Sequence, residues 1–214
     1  MTRSRERARM VERQLRGRGI EDERVLAAMG EVPREDFLPR RLRDRAYDDS
    51  ALPIREGQTI SQPWIVAAIC QALALEGSEL VLEVGTGSGY SAAVLARLAD
   101  HVVTIERHGA LFRAARETLA GLGFGNVETL LGDGSLGIAG RATFDAIAVH
   151  ATAPGPPQAL LDQLAEGGRL VVPLHAGDAD VLTLYRRRGE RLEAEAITPC
   201  RFVPLIGEGG FAEG

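Results

Sequence analysis

"LVLEVGTGSGYSAAVLARLA", residues 80–99, decides the fold. Its first five residues, "LVLEV", form a short apolar run of strand length, and the segment from about 89 to 98 carries apolar residues at helical spacing. Between them stand Gly85, Gly87 and Gly89, which let the backbone turn sharply and approach a ligand without a Cβ in the way. A helix starting there presents free N–H groups at its first turn. A strand, a glycine turn and a helix in that order open an α/β unit, and in such sheets ligands bind beyond the carboxyl ends of the strands.

Working outward, strand and helix signals alternate. "HVVTI" (101–105), "NVETLLG" (126–132), "FDAIAVH" (144–150) and "GRLVVPL" (168–174) read as strands, with helices from Ala110 to about Leu122 and near 157–165. "DVLTLYRR" and "RLEAEAIT", joined at Gly189-Glu190, predict a terminal antiparallel hairpin. Strands linked through helices imply right-handed crossovers and a doubly wound, mostly parallel α/β sheet covered on both faces.

Upstream, residues 4–16 place Ala8, Val11 and Leu15 on one helix face, and a second short helix follows with Asp22 as its cap and Gly30 as its stop. Tyr47 to Gly57 reads as loop. The expected organisation is a single domain over 1–214: a helical segment with a functional loop over about 1–75, then an α/β core over about 78–214.

Composition excludes several classes. The 214 residues are 45% hydrophobic and 26% charged, ordinary for a globular protein with a real core. No apolar run has membrane-spanning length, and "MTRSRERARMVERQ" has no apolar signal core, so a cytoplasmic protein is expected. A net charge of −5 argues against general nucleic-acid affinity. All 25 basic residues are arginine, which reads as GC-rich coding, and the arginine-rich start is interrupted by glutamates, as on a solvated helix face. Cys70 and Cys200 lie in no disulfide or metal spacing, and the four histidines show no H-x-x-x-H pattern, so no metal is expected.

The glycine turn has acidic company. Glu83 precedes it, and Glu106 ends the second strand about twenty residues on, where a carboxylate accepts both hydroxyls of a ribose. Asp133, in "GDG" (132–134), ends the third strand and offers a carboxylate to an adenine edge. A dinucleotide fingerprint needs Gly or Ala at the sixth position of G-x-G-x-x-G; counting from Gly85, that position is Tyr90. G-x-G-x-G with these acids instead resembles the S-adenosylmethionine (AdoMet) pattern of Rossmann-like class I methyltransferases.

"GQTISQPW" (57–64) precedes another apolar run, in which Trp64, Ile65, Ala68, Ile69, Ala72 and Leu73 form a core stripe. Ser61 is a sound helix cap and Pro63 suits a first turn, but capping leaves Gln58 and Thr59 unexplained. "MVERQLRGRGI", "VLAAMGEVPREDFLP", "AYDDSALPIREGQTISQPWIVA", "VLEVGTGSGYSAAVLARLA", "TIER", "GDG", "FDAIAV", "LLDQLAEGGRLVVP" and "RFVPL" together resemble the protein-L-isoaspartate O-methyltransferase family, in order from Met10 to Leu205. Its most specific elements are "GQTISQP" and the terminal "RFVPL".

The resemblance implies AdoMet as methyl donor, S-adenosyl-L-homocysteine (AdoHcy) as product, and isoaspartyl proteins and peptides as substrate. It implies no nucleic acid, no membrane and no metal, and a monomer is the default expectation. It assigns Ser61 as the active-site hydroxyl that holds the substrate carboxylate. The implied cofactor contacts are Gln58, Thr59, Ile60 and Ser61, then Gly85, Thr86, Gly87, Ser88 and Gly89, then Glu106, Asp133 and Gly134. Val66 and Ile206 fall at family contact positions of variable residue type and stay off that set.

Isoaspartate carries a free α-carboxylate, and its methyl ester recloses spontaneously to a succinimide. That carboxylate is ionised at pH 7, so the transfer needs no general base. Placement and exclusion of water remain as the enzyme's work. A neutral donor such as Ser61 suits a carboxylate whose charge fades in the transition state better than a strong cation does.

Three residues depart from the family's usual pattern: Arg55, His150 and Thr152. His150 reads either as a strand-end histidine without catalytic role or as a sign of altered substrate recognition; Arg55 reads as a solvent-facing arginine or as a partner for a substrate carboxylate. An alternative function is a paralogous carboxyl methyltransferase acting on an aspartate of a dedicated peptide. Such a chain is expected to carry an extra C-terminal recognition region, and this one stops soon after "RFVPLIGEGGFAEG".

Overall fold

The computed structural model describes residues 2–141 and 143–213. Five parallel strands form its centre: β3 (Leu80–Val84), β4 (His101–Glu106), β5 (Val127–Leu131), β6 (Phe144–Val149) and β7 (Leu164–His175). The antiparallel β8 (Asp180–Arg188) and β9 (Arg191–Cys200) extend the sheet, as the hairpin signal predicts. The order is β5-β4-β3-β6-β7-β8-β9. It reverses between β3 and β6, so the crevice at their carboxyl ends is the topological switch point.

Alternation along each strand sends side chains to opposite faces. Val81, Val102, Ala146, Ala148 and Val171 join one apolar cluster; Leu82, Val84, Val103, Ile105, Ile147, Val149, Leu170 and Val172 join another. The first cluster takes in α3 (Pro63–Leu73), α4 (Tyr90–Leu95), and Met10, Leu15, Ile20, Val25 and Met29 from the N-terminal segment. The second takes in Leu160 and Leu161 of α6 (Gln158–Asp162). The fifth helix, α5 (Gly109–Gly121), lies between β4 and β5 in the chain.

The N-terminal segment begins with α1 (Arg3–Met10), which widens over Val11–Leu15, and continues through α2 (Glu23–Glu31). Asp22 caps α2 as expected, its side chain accepting from Arg24 N and Val25 N. Gly30 is not the stop: α2 runs through it to Glu31 and ends ahead of Pro33, which cannot continue it. Arg24 reaches from α2 to the carbonyls of Leu75 and Leu98, beyond the ends of α3 and α4. Arg3, Arg16 and Arg18 of the arginine-rich start pair with Glu6, Glu23 and Asp49. No helix of the described residues is long and apolar enough to cross a membrane.

Two local expectations need correction. The expected loop from Tyr47 to Gly57 contains a short strand, β1 (Leu52–Pro53), which pairs antiparallel with β2 (Thr59–Ile60). Ser61 is not the cap of α3. Gln62 holds that position with Pro63 directly after it, and no side chain makes the capping bond. The Ser61 hydroxyl is therefore not committed to the helix end.

Candidate functional site

The sheet's switch point opens into a cleft, where ligands of open α/β sheets bind. Three walls meet there: the loop Gln58–Ser61, the glycine turn Gly85–Ser88, and the strand ends at Ile105–His108 with Gly132 and Gly134. A fourth wall, Val203–Ile206, comes from the far end of the chain.

The glycine turn is held by its own backbone. Gly85 N and Thr86 N both donate to Ile105 O, and Gly89 N closes back on Thr86 O at 2.8 Å. Gly89 sits at φ +88°, a conformation L side chains rarely adopt, and starts α4 there. At Gly134 close approach is the reason for glycine. A Cβ would lie 2.5 Å from Ile105 Cγ2 and 2.8 Å from Val84 Cγ1, so a side chain has no room behind the cleft floor.

Glu106 lies at the carboxyl end of β4, 5% exposed and lining the cleft. Its Oε2 accepts from Gly87 N at 2.8 Å and its Oε1 from His108 N at 2.9 Å. Each oxygen retains a lone pair, so the pair of ribose hydroxyls expected from sequence has two acceptors. Asp133 is placed differently. It stands between the lining residues Gly132 and Gly134 without lining the cleft itself, and its oxygens accept from Ser135 N and Glu208 N, both at 2.8 Å. Burial pushes the Asp133 carboxyl up, but the bonds from Ser135 and Glu208 outweigh it and hold the pKa below the usual range.

The loop carrying Ser61 returns from β1 and β2 to lie across the glycine turn; a Cβ on Gly87 would touch Ile54 Cδ1 at 3.8 Å. Gln58, Thr59, Ile60 and Ser61 all line the cleft, so the structure brings the expected loop and the expected turn together. The Ser61 side chain is half-buried and makes no hydrogen bond among the described residues.

Several lining residues were not singled out by sequence reasoning. Val66 and Ile206, set aside for their variable type, line the cleft, as do Tyr90, Ser91, Ile105, Arg107, His108 and Ala151. The far wall depends on Thr152: its N donates to Val203 O and its O accepts from Leu205 N, both at 2.8 Å, so "RFVPL" adds as a short parallel rung beyond β6. Thr152 Oγ1 also donates to Asp180 Oδ2, which accepts from Phe202 N as well. The prominence of "RFVPL" in the sequence was the available signal for this wall.

Of the three unusual residues, Thr152 is thus an anchor, and Arg55 is exposed at the hairpin tip with no ion pair among the described residues. His150 lines the cleft at 9% exposure, with Nε2 2.7 Å from Ser91 Oγ. No group of three or more His, Cys, Asp or Glu comes together as a metal site among the described residues.

Comparison with known proteins agrees with this geometry. The model of the protein-L-isoaspartate(D-aspartate) O-methyltransferase family matches residues 5–210. A protein-L-isoaspartate O-methyltransferase of Rhodopseudomonas palustris (strain HaA2) is 54% identical over 97% of this chain and 85% of its own length. One from Koribacter versatilis is 50% identical over 97% of this chain and 93% of its own. Among solved structures, a protein-L-isoaspartate O-methyltransferase superposes with TM-score 0.84 at 29% identity, covering 95% of this chain and 67% of that one. A Plasmodium falciparum structure in complex with S-adenosyl-L-homocysteine, assigned to the same enzymes, superposes with TM-score 0.82 at 25% identity, covering 94% of this chain and 98% of that one.

Proposed function

The chain belongs to the protein-L-isoaspartate(D-aspartate) O-methyltransferase family, and from that premise we propose how its residues divide the work. It is an AdoMet-dependent enzyme that methylates the α-carboxylate of L-isoaspartyl residues in proteins and peptides, and its fold is that of the class I methyltransferases.

The residues present fit the cofactor. Glu106 offers two acceptors at the cleft wall, and Gly134 leaves a floor no side chain could share. Bound AdoMet supplies an electrophilic methyl on a positively charged sulfur. Glu106 would hold the ribose, and Gly85, Thr86, Gly87 and Ser88 would lie along the cofactor through backbone, with Gly89 behind them starting α4. Gly134 would face the adenine end, with the Asp133 carboxylate behind it holding Ser135 N and Glu208 N. Gln58, Thr59 and Ile60 would cover the methionine end.

Ser61 is the residue we assign to the substrate. Its hydroxyl would donate to the isoaspartyl carboxylate and hold it so that one oxygen is presented to the methyl donor. The observation that carries this is the free Ser61 hydroxyl in the cleft wall, with the capping position taken by Gln62. The test is Ser61→Ala. We expect kcat/KM for an isoaspartyl peptide to fall about 10- to 100-fold, the worth of one hydrogen bond to a charged group. AdoHcy affinity should stay within about twofold. Full activity in the variant removes Ser61 from the mechanism.

The chain is further read as one working domain, since the first apolar cluster runs unbroken from Met10 and Leu15 to Val171 and Leu184. It is read as a monomeric enzyme of the cytoplasm that needs neither nucleic acid nor membrane. The net charge of −5 and the free state of Cys70 and Cys200 support this. So does the surface: among the described residues the exposed large apolar side chains are Leu131 and Leu136.

A further inference from the structure

Behind the glycine turn, strand alternation places three polar side chains at the carboxyl edge of an otherwise apolar face. Glu83 is the cross-strand partner of Thr104 on one side and of Ala148 on the other, and His150 lies two residues beyond Ala148. Ser91, in the first turn of α4, meets them from above.

The hydrogens of this group can be assigned. Thr104 Oγ1 donates to Glu83 Oε2 at 2.5 Å, so Thr86 Oγ1, 2.6 Å from Thr104 Oγ1, must be the donor in that contact. Glu83 Oε1 is sealed from solvent without a hydrogen bond; His150 Nε2 lies 3.4 Å away and is itself 2.7 Å from Ser91 Oγ. Burial pushes the Glu83 carboxyl up to about 8 and the His150 imidazole down to about 4, so at neutral pH a carboxylic acid faces a neutral ring. The acid proton on Oε1 faces His150 Nε2, 3.4 Å away, and the Ser91 hydroxyl, which also acts on the Glu83 carboxyl. Whether it passes directly or through the serine hydroxyl, Nε2 is the acceptor at the end of the chain. A neutral imidazole that accepts at Nε2 carries its hydrogen on Nδ1. Nδ1 has no protein partner among the described residues, yet it is not one of the sealed unpaired atoms, and the ring lines the cleft that Ser61 also lines.

We propose that His150 Nδ1–H is a second neutral donor to the substrate carboxylate, working beside Ser61, with its tautomer set by Ser91 and Glu83 behind it. A carboxylate held by one donor still rotates about that bond; two donors fix its plane and the direction of the attacking oxygen. This assignment rests on the cleft being a carboxyl methyltransferase site. Because the carboxylate loses charge as the bond forms, such a donor grips the ground state at least as firmly as the transition state. Its removal therefore shows in peptide binding and KM more than in kcat.

Two measurements test it. The first is the 15N spectrum of His150 in the wild-type protein loaded with AdoHcy. We expect hydrogen on Nδ1 and a bare Nε2; the opposite tautomer overturns the assignment. The second compares His150→Asn, whose amide nitrogen falls near the place of Nδ1, with His150→Gln, whose amide falls near Nε2. For a short L-isoaspartyl peptide, His150→Gln should raise KM about 10- to 100-fold, as should the peptide's Kd on AdoHcy-loaded protein. His150→Asn should stay within about threefold of wild type, and AdoHcy affinity should hold within about twofold in both. Wild-type peptide binding by the Gln variant, equal losses in both variants, or a parallel loss of AdoHcy affinity overturns the assignment. Failure of the wild-type protein to esterify the peptide overturns instead the reading of the cleft, whatever the tautomer.

Discussion

Glu106 accepts the backbone N–H of Gly87 at 2.8 Å, so one carboxylate both tightens the glycine turn and faces the cleft beside it. Glu106→Ala removes two things at once: the acceptors for a ribose and the partner of Gly87 N. AdoHcy affinity measured by calorimetry should fall about 10- to 100-fold, the range for losing hydrogen bonds to a charged group. An unchanged Kd would remove Glu106 from the cofactor site.

Gly89 is needed for its conformation. At φ +88°, an added Cβ meets Ala115 Cβ and Leu119 Cδ1 at 3.3 Å in α5. Gly89→Ala should cost about 1–3 kcal/mol in denaturant unfolding, from left-handed strain and overpacking together. Gly121→Ala, with open space around its Cβ at the end of α5, should change stability by no more than about 1 kcal/mol. Equal effects at the two positions would contradict this account of the turn.

The buried Glu83–His150 pair predicts a stability slope at mildly alkaline pH. Folded, the pair keeps one proton between about pH 4, where the buried imidazole titrates, and about pH 8, where the buried carboxyl does. Unfolded, with ordinary pKa values near 4.5 and 6.5, the pair also holds one proton between those values and none above. Between pH 6.5 and 8 the folded state therefore binds the extra proton, and stability falls as pH rises, by at most about 1 kcal/mol per pH unit. Glu83→Gln should flatten that slope when unfolding is measured at pH 6.5 and 8; the same slope in both proteins would place its origin elsewhere.

Much of this was legible locally. The run "LVLEV", the glycines after it and the periodicity of the segment to residue 98 report on neighbours in the chain, and β3, the turn and α4 followed. What escaped depends on partners distant in sequence. The wall at Val203–Ile206 exists because Thr152 pairs with Pro204, some fifty residues on. His150 takes its surroundings from Glu83 on β3 and Ser91 on α4, which no local pattern around residue 150 reveals. Ser61 shows the limit in a single residue. Its type suits a cap as well as a substrate donor, and only the placement of Pro63 as the first helical residue moved the cap to Gln62.

The central claim is that this cleft brings a methyl donor to a stray backbone carboxylate. Paired peptides that differ only in an L-isoaspartyl or a normal aspartyl linkage, incubated with the enzyme and methyl-labelled AdoMet, test it most directly. The account predicts base-labile label on the isoaspartyl peptide and none above background on its partner. Equal labelling of the two peptides, or label on neither, would contradict it.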